Sequence, residues 1–94
     1  EDPAELPKQV SLQQNYPNPF NPTTKIRYSL PSAKEVSLTV YDVLGREVAT
    51  LVDKKQKAGT YNVQFNAEQF SSGVYFYRLK TENMTKVKKM MLLK

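Results

Sequence analysis

Thr24-Lys25-Ile26-Arg27-Tyr28-Ser29-Leu30 puts Ile26, Tyr28 and Leu30 on one side of an extended chain and Lys25, Arg27 and Ser29 on the other. Alternation with period two marks a half-buried β-strand, because successive side chains of a strand point to opposite faces. Pro31 follows and ends the segment, since it lacks the backbone donor a ladder needs. The pattern recurs downstream. Val36, Leu38 and Val40 alternate with Ser37, Thr39 and Tyr41, and Tyr61, Val63 and Phe65 alternate with Asn62 and Gln64. Val74-Tyr75-Phe76-Tyr77-Arg78-Leu79, opened by Gly73, is rich in strand formers.

Turn signals separate these runs. Asp42-Val43-Leu44-Gly45 reads as a turn with Gly45 suited to positive φ, and Glu82-Asn83 reads as another. Glu47 to Val52 is predicted as a strand, with Val48 and Leu51 inward after a bulge. Asp53 to Ala58 is predicted as a lysine-rich loop closed by Gly59, and Ala67 to Ser72 as a connection under which Phe70 tucks. Val10 to Gln14 is a short first strand and Thr85 to Leu93 the last. Asp42 to Val52 also shows helical spacing, but Gly45 and the β-branched content weigh against a helix there. About seven short strands with turn signals every ~8–12 residues make the chain all-β, an Ig-like antiparallel β-sandwich. Its expected core is Ile26, Tyr28, Leu38, Val40, Val63, Phe65, Tyr75 and Tyr77.

The 94 residues suit one domain. A content of 39% hydrophobic and 24% charged residues is ordinary for a folded domain and too apolar for wholesale disorder. No apolar run approaches the ~18–20 residues of a membrane helix. No charged segment followed by an apolar one opens the chain, so no signal peptide is expected within it. Cysteine and histidine are both absent. That removes disulfides, thiolate metal sites, the cysteine nucleophile, the commonest general base and the commonest metal ligand.

Lys and Arg number 14 against 9 Asp and Glu, a net charge of +5. The first nine residues run the other way, with Glu1, Asp2 and Glu5 against Lys8. They are polar and hold Pro3 and Pro7, so residues 1–9 are expected to be a linker and 10–94 the domain. Lysines cluster at Lys54, Lys55 and Lys57 and again at Lys86, Lys88, Lys89 and Lys94, which on strands serve solubility and edge protection. Nucleic acid is not expected: Tyr75, Phe76 and Tyr77 alternate across two faces, so one set belongs to the core rather than to a stacking platform.

Catalysis finds no support either. Glu35, Asp42, Glu47, Asp53, Glu68 and Glu82 fall mostly at strand ends and turns, not as a shielded pair. No calcium-loop spacing and no glycine-rich phosphate loop occurs. The expectation is a protein that is not an enzyme and carries no metal or cofactor.

Asn15-Tyr16-Pro17-Asn18-Pro19-Phe20-Asn21-Pro22 stands apart from the alternation. Its prolines remove backbone donors and push the preceding residues to extended conformations, which excludes a helix or a central strand. An ordered, extended loop is expected, pinned by Tyr16 and Phe20, capping one end of the sandwich and kept by its prolines from pairing with a neighbour.

Leu12 to Thr24, with Ile26 and Tyr28-Ser29-Leu30-Pro31, resembles the opening of the C-terminal sorting domains of type IX secretion, the Por secretion system of Bacteroidetes and related phyla. Val36 to Val48 is similar to the family's middle motif, Ala58-Gly59-Thr60-Tyr61 and Ser72 to Leu79 to its third, and Lys88 to Lys94 to its lysine-plus-aliphatic ending. The same core is similar to the Ig-like domain of flagellar hook-capping proteins. The resemblance implies a non-enzymatic targeting module that ends an N-terminal cargo protein. The cargo would cross the periplasm, pass the type IX outer-membrane translocon and reach the cell surface or the medium. A surface sortase would then cut in the linker. The alternatives from other classes are a structural Ig-like spacer or cap of an extracellular assembly, and a carbohydrate-binding sandwich module.

Recognition is expected at the last strand. With Val87, Met91 and Leu93 inward, Lys88, Met90, Leu92 and Lys94 face outward and Lys89 sits near an edge, so Lys88, Lys89, Met90, Leu92 and Lys94 are the candidate partner-binding residues. Unpaired backbone groups on that edge would suit addition of a receptor strand.

Overall fold

The computed structural model describes residues 7–94. Seven strands appear in chain order: β1 (Ser11–Leu12), β2 (Thr23–Leu30), β3 (Lys34–Tyr41), β4 (Glu47–Gln56), β5 (Gly59–Asn66), β6 (Gly73–Lys80) and β7 (Thr85–Leu92). They form two antiparallel sheets, β1-β2-β5 and β4-β3-β6-β7. This is the expected β-sandwich, and Asp42 to Val52 holds no helix. The fourth strand joins the sheet of the third, sixth and seventh, whereas constant-type Ig domains keep it with the first, second and fifth.

The alternation read from the sequence becomes burial. Ile26, Tyr28, Leu38, Val40, Phe65, Tyr75 and Tyr77 are all buried between the sheets. Val63 is only partly buried, because β5 is an edge strand and its inner side chains look out of the open side of the sandwich. Leu30, Leu79, Met90, Leu92 and Phe20 join them in the interior. Each such side chain contributes about 1.5–3 kcal/mol relative to leaving it in water. Phe70 tucks against the core as expected and stacks on Phe65 with ring centroids 5.9 Å apart. Tyr75, near the start of β6, donates its hydroxyl to the Ser71 carbonyl four residues back at 2.7 Å, which fastens the corner leading into that strand.

Two local expectations change. The lysine-rich segment is not a loop: β4 continues to Gln56, and only Lys57 and Ala58 connect it to β5. Cross-strand pairing explains this, since Glu35 lies opposite Lys55 and Ser37 opposite Asp53. The bulge expected in β4 is double, with register shifts at Leu38/Thr39 and Val40/Tyr41 that leave Leu51 and Val48 as the extra residues. The predicted linker, residues 1–9, lies mostly outside the described residues. Val10, at the start of the predicted domain, is buried.

Candidate docking surface around the C-terminal strand

The proline segment runs along the C-terminal half of β7, held there chiefly by Asn18 and Phe20. Phe20 is buried in the core and packs on Phe65, with centroids 6.1 Å apart. Its N–H donates to the Met91 carbonyl at 3.0 Å, and its carbonyl accepts from the Leu93 N–H at 2.9 Å. Asn18 Oδ1 accepts from the Met91 N–H at 3.0 Å, and Gln14 Nε2 donates to the Lys89 carbonyl at 2.7 Å. These bonds engage the Lys89 carbonyl, both backbone groups of Met91 and the Leu93 N–H along the C-terminal half of β7. The prolines themselves carry no N–H, so the covering segment does not offer a fresh edge in turn. Tyr16, expected as a second pin, is instead 81% exposed; only its backbone is engaged, in a two-bond bridge with Lys25 at 3.0 Å each way.

A buried polar knot anchors the start of the segment. Tyr77 reaches from β6 to accept the Asn15 N–H at 2.8 Å and to donate to the Gln13 carbonyl at 2.7 Å. Asn15 Nδ2 donates to Thr24 Oγ1 at 3.0 Å and to the Pro17 carbonyl at 3.1 Å, while Thr24 donates to that same carbonyl at 2.9 Å. Burial pushes the Tyr77 hydroxyl up to about 12, against the opposing effect of its bond with the Asn15 backbone. Tyr28 is likewise pushed up to about 12 by burial, despite its bond to Gln56. Both hydroxyls therefore remain protonated donors at any physiological pH.

The register of β7 reverses the orientation expected for its side chains. Met90 faces Tyr75 and Leu92 faces Gly73 across the β6–β7 ladder, and both are core residues at 1% and 0% exposure. They are not available to a partner. The sequence expectation misjudged which parity faces inward because both sets of β7 positions contain aliphatic residues. The deciding contact is Phe20, whose bridge to Leu92 joins two segments more than 70 residues apart. Lys88 lies on the inward side opposite Tyr77 and is half-buried, whereas Lys89 and Lys94 are exposed. Lys94 is held at the rim by its N–H to Ser72 Oγ at 3.0 Å and by its ammonium to the Glu68 carbonyl.

The residues that do face outward are Val87, Lys89, Met91 and Leu93, all exposed. Val87 and Met91 continue an apolar strip with Val74, Phe76 and Tyr41 on the outer face of the four-stranded sheet. The β3–β4 turn extends it with Val43 and Leu44, exposed at 65% and 73%. That turn is built by Asp42, whose Oδ1 accepts the N–H groups of Leu44 at 2.9 Å and Arg46 at 3.0 Å and whose Oδ2 pairs with Arg46 Nε at 2.8 Å. Desolvation works against the Asp42 carboxylate, but these bonds and the Arg46 charge together outweigh it and hold the carboxyl below the usual range. Gly45 closes the turn at φ 81°, a conformation that strains any side chain bearing a Cβ.

In the middle of the strip, Arg78 lies over the Tyr41 ring, its guanidinium carbon 4.9 Å from the centroid. Its Nε is buried without a hydrogen-bond partner. Beside it is a depression of about 330 Å³ lined by Tyr41, Val43, Phe76, Arg78 and Val87, among others. Apolar walls around one underused guanidinium suit a peptide that brings both an aliphatic side chain and an acceptor. Sequence reasoning placed Tyr41, Phe76 and Arg78 on strands without seeing that Tyr41 and Phe76 are directly opposite each other. Among the described residues, no group of His, Cys, Asp or Glu is disposed to hold a metal ion, and no helix is long and apolar enough to cross a membrane.

No curated protein and no solved structure matches the chain. The family model described as the secretion system C-terminal sorting domain matches residues 14–93, from Gln14 of the proline knot to Leu93 at the end of the locked strand. Members of this family are type IX export signals rather than catalysts, and they mark proteins sent to the cell surface or the medium. The chain therefore belongs to the secretion system C-terminal sorting domain family.

Proposed function

We propose that this domain follows a cargo domain in one polypeptide and is read, folded, by the type IX translocon at the outer face of its four-stranded sheet. The family match carries the export role, and the exposed Val43, Leu44, Val87 and Met91, with half-buried Phe76, around Arg78 support the choice of face. Exposed apolar area of this kind, rimmed by charge, marks interaction sites. Lys89 and Lys94 stand at its margin and steer an acidic partner, while Met90 and Leu92 act only through the core. Residues 1–9 serve as the tether in which a surface sortase cuts, and 10–94 as the unit the translocon reads.

The test is a periplasmic reporter fused to the chain in a type IX-competent host. The intact fusion should appear outside the cell. Val87→Glu with Met91→Glu should leave the melting temperature within a few degrees, since exposed sites usually change stability by about ±0.5 kcal/mol, and should strand the reporter in the periplasm. Retention of the intact fusion would overturn the export role, and normal export of the double variant would overturn the choice of face.

A further inference from the structure

Among the described residues, the edge strands of the sandwich are guarded unequally. β1 is two residues long, β4 is broken by two bulges and carries Lys54 and Lys55, and β7 is covered by the proline segment over its C-terminal half and carries Lys86 and Lys88 in the other. β5 has none of these devices. Gly-Thr-Tyr-Asn-Val-Gln-Phe-Asn, residues 59–66, contains no charge and no proline, and it pairs with β2 in unbroken register from Gly59 to Asn66. The Ala67 N–H bonds to the Pro22 carbonyl at 2.8 Å, and Lys25 turns its own backbone toward Tyr16. By the alternation of an antiparallel ladder, Tyr61, Val63 and Phe65 then bond to β2, and the backbone groups of Thr60, Asn62 and Gln64 point off the free edge. On the inner side Tyr61 and Val63 are only partly buried, as are Val48 and Leu51 of β4, the strand that Lys57 and Ala58 join to β5 across the seam between the sheets.

The geometry points to β5 as a second docking site, one that accepts an extended strand of a separate polypeptide with apolar side chains alternating with acidic ones. The added strand bonds to Thr60, Asn62 and Gln64, and its apolar side chains cover Tyr61 and Val63. Charge selects the acidic partner. Lys25 lies opposite Gln64 and Arg27 opposite Asn62 on the outer face, and Lys54, Lys55 and Lys57 rim the other side of the seam, all exposed. The same rim disfavours a second copy of this chain, whose own edge would bring the same positive charges together. This site stands apart from the export reading and from the outer face of the four-stranded sheet.

The experiment uses the full chain, isotope-labelled, with two blocked ten-residue probe peptides that alternate Val with Glu or Val with Lys. The Val/Glu peptide should shift and protect the amides of Thr60, Asn62 and Gln64. The Val/Lys peptide should bind at least about tenfold more weakly at low salt. Asn62→Pro removes one edge donor while leaving the β2 ladder intact, and should weaken the Val/Glu peptide at least about tenfold. Lys25→Glu with Arg27→Glu, which touches no edge donor, should reverse the preference between the peptides. Shifts centred on β4 or β7, equal binding of both peptides, an unchanged preference in the charge-reversed variant, edge amides already protected without peptide, or dimerisation through β5 would each overturn the proposal.

Discussion

The C-terminal half of the outer edge of β7 is bonded to the proline segment and the residue before it, whereas the outer edge of β5 is met by no other described strand. Both strands are eight residues long, and both end a sheet. They differ in where the sequence spends its special residues. Gln14, Asn18 and Phe20 are committed to β7 from the far end of the chain, while β5 is made only of uncharged residues in simple alternation. A terminal strand frays unless something ties it down. Here the tie also accompanies the burial of Met90 and Leu92 and leaves Val87, Lys89 and Met91 as the outward side chains of β7.

Removing the lock should have the largest effect. Phe20→Ala deletes a buried ring and the contact with Phe65, and is expected to cost about 3–5 kcal/mol in denaturant unfolding. A loss below about 1 kcal/mol would reduce the segment to a passive loop. Tyr77→Phe should cost about 1–3 kcal/mol, because it strands the buried Asn15 N–H and takes the donor from the Gln13 carbonyl.

Alkaline titration probes the same interior from another side. The folded-state values of Tyr28 and Tyr77 are raised to about 12 from 10.0. Burial thus favours the protonated form, so their contribution is complete below pH 10 and is lost as the pH rises toward 12. Thermal melts should show a steepening fall in stability across that window. For Tyr77→Phe the fall should be shallower, and an identical fall in the variant would remove Tyr77 as a cause. The smallest effect belongs to the open edge. Asn62→Lys on β5 is expected to change stability by no more than about 0.5 kcal/mol, since its side chain is exposed.

The strands were legible wherever one face is polar. Lys25, Arg27 and Ser29 against Ile26, Tyr28 and Leu30 leave only one way to turn β2. β7 was not legible in the same way, because Val87 and Met91 match Met90 and Leu92 in apolar character. Parity is decided by a partner in the proline segment, far away in sequence. The segment Lys54 to Gln56 was misread for a related reason. Lysines suggest a loop locally, but an edge strand tolerates them when Glu35 lies opposite. The apolar strip around Arg78 combines the two cases. Its turn at Asp42 and Gly45 was readable, whereas the stacking of Arg78 on Tyr41 depends on a cross-strand register that no single segment reveals.

Residue-resolved amide hydrogen exchange on the full chain tests the contrast between the two edges most directly. The Met91 and Leu93 amides, bonded to Asn18 and Phe20, should exchange slowly and share the protection of the core strands. The Asn62 and Gln64 amides, pointing off β5, should exchange quickly at the same pH and temperature. Met91 and Leu93 exchanging as fast as Asn62 and Gln64 would contradict the account, because the proline segment would then not be closing the last strand.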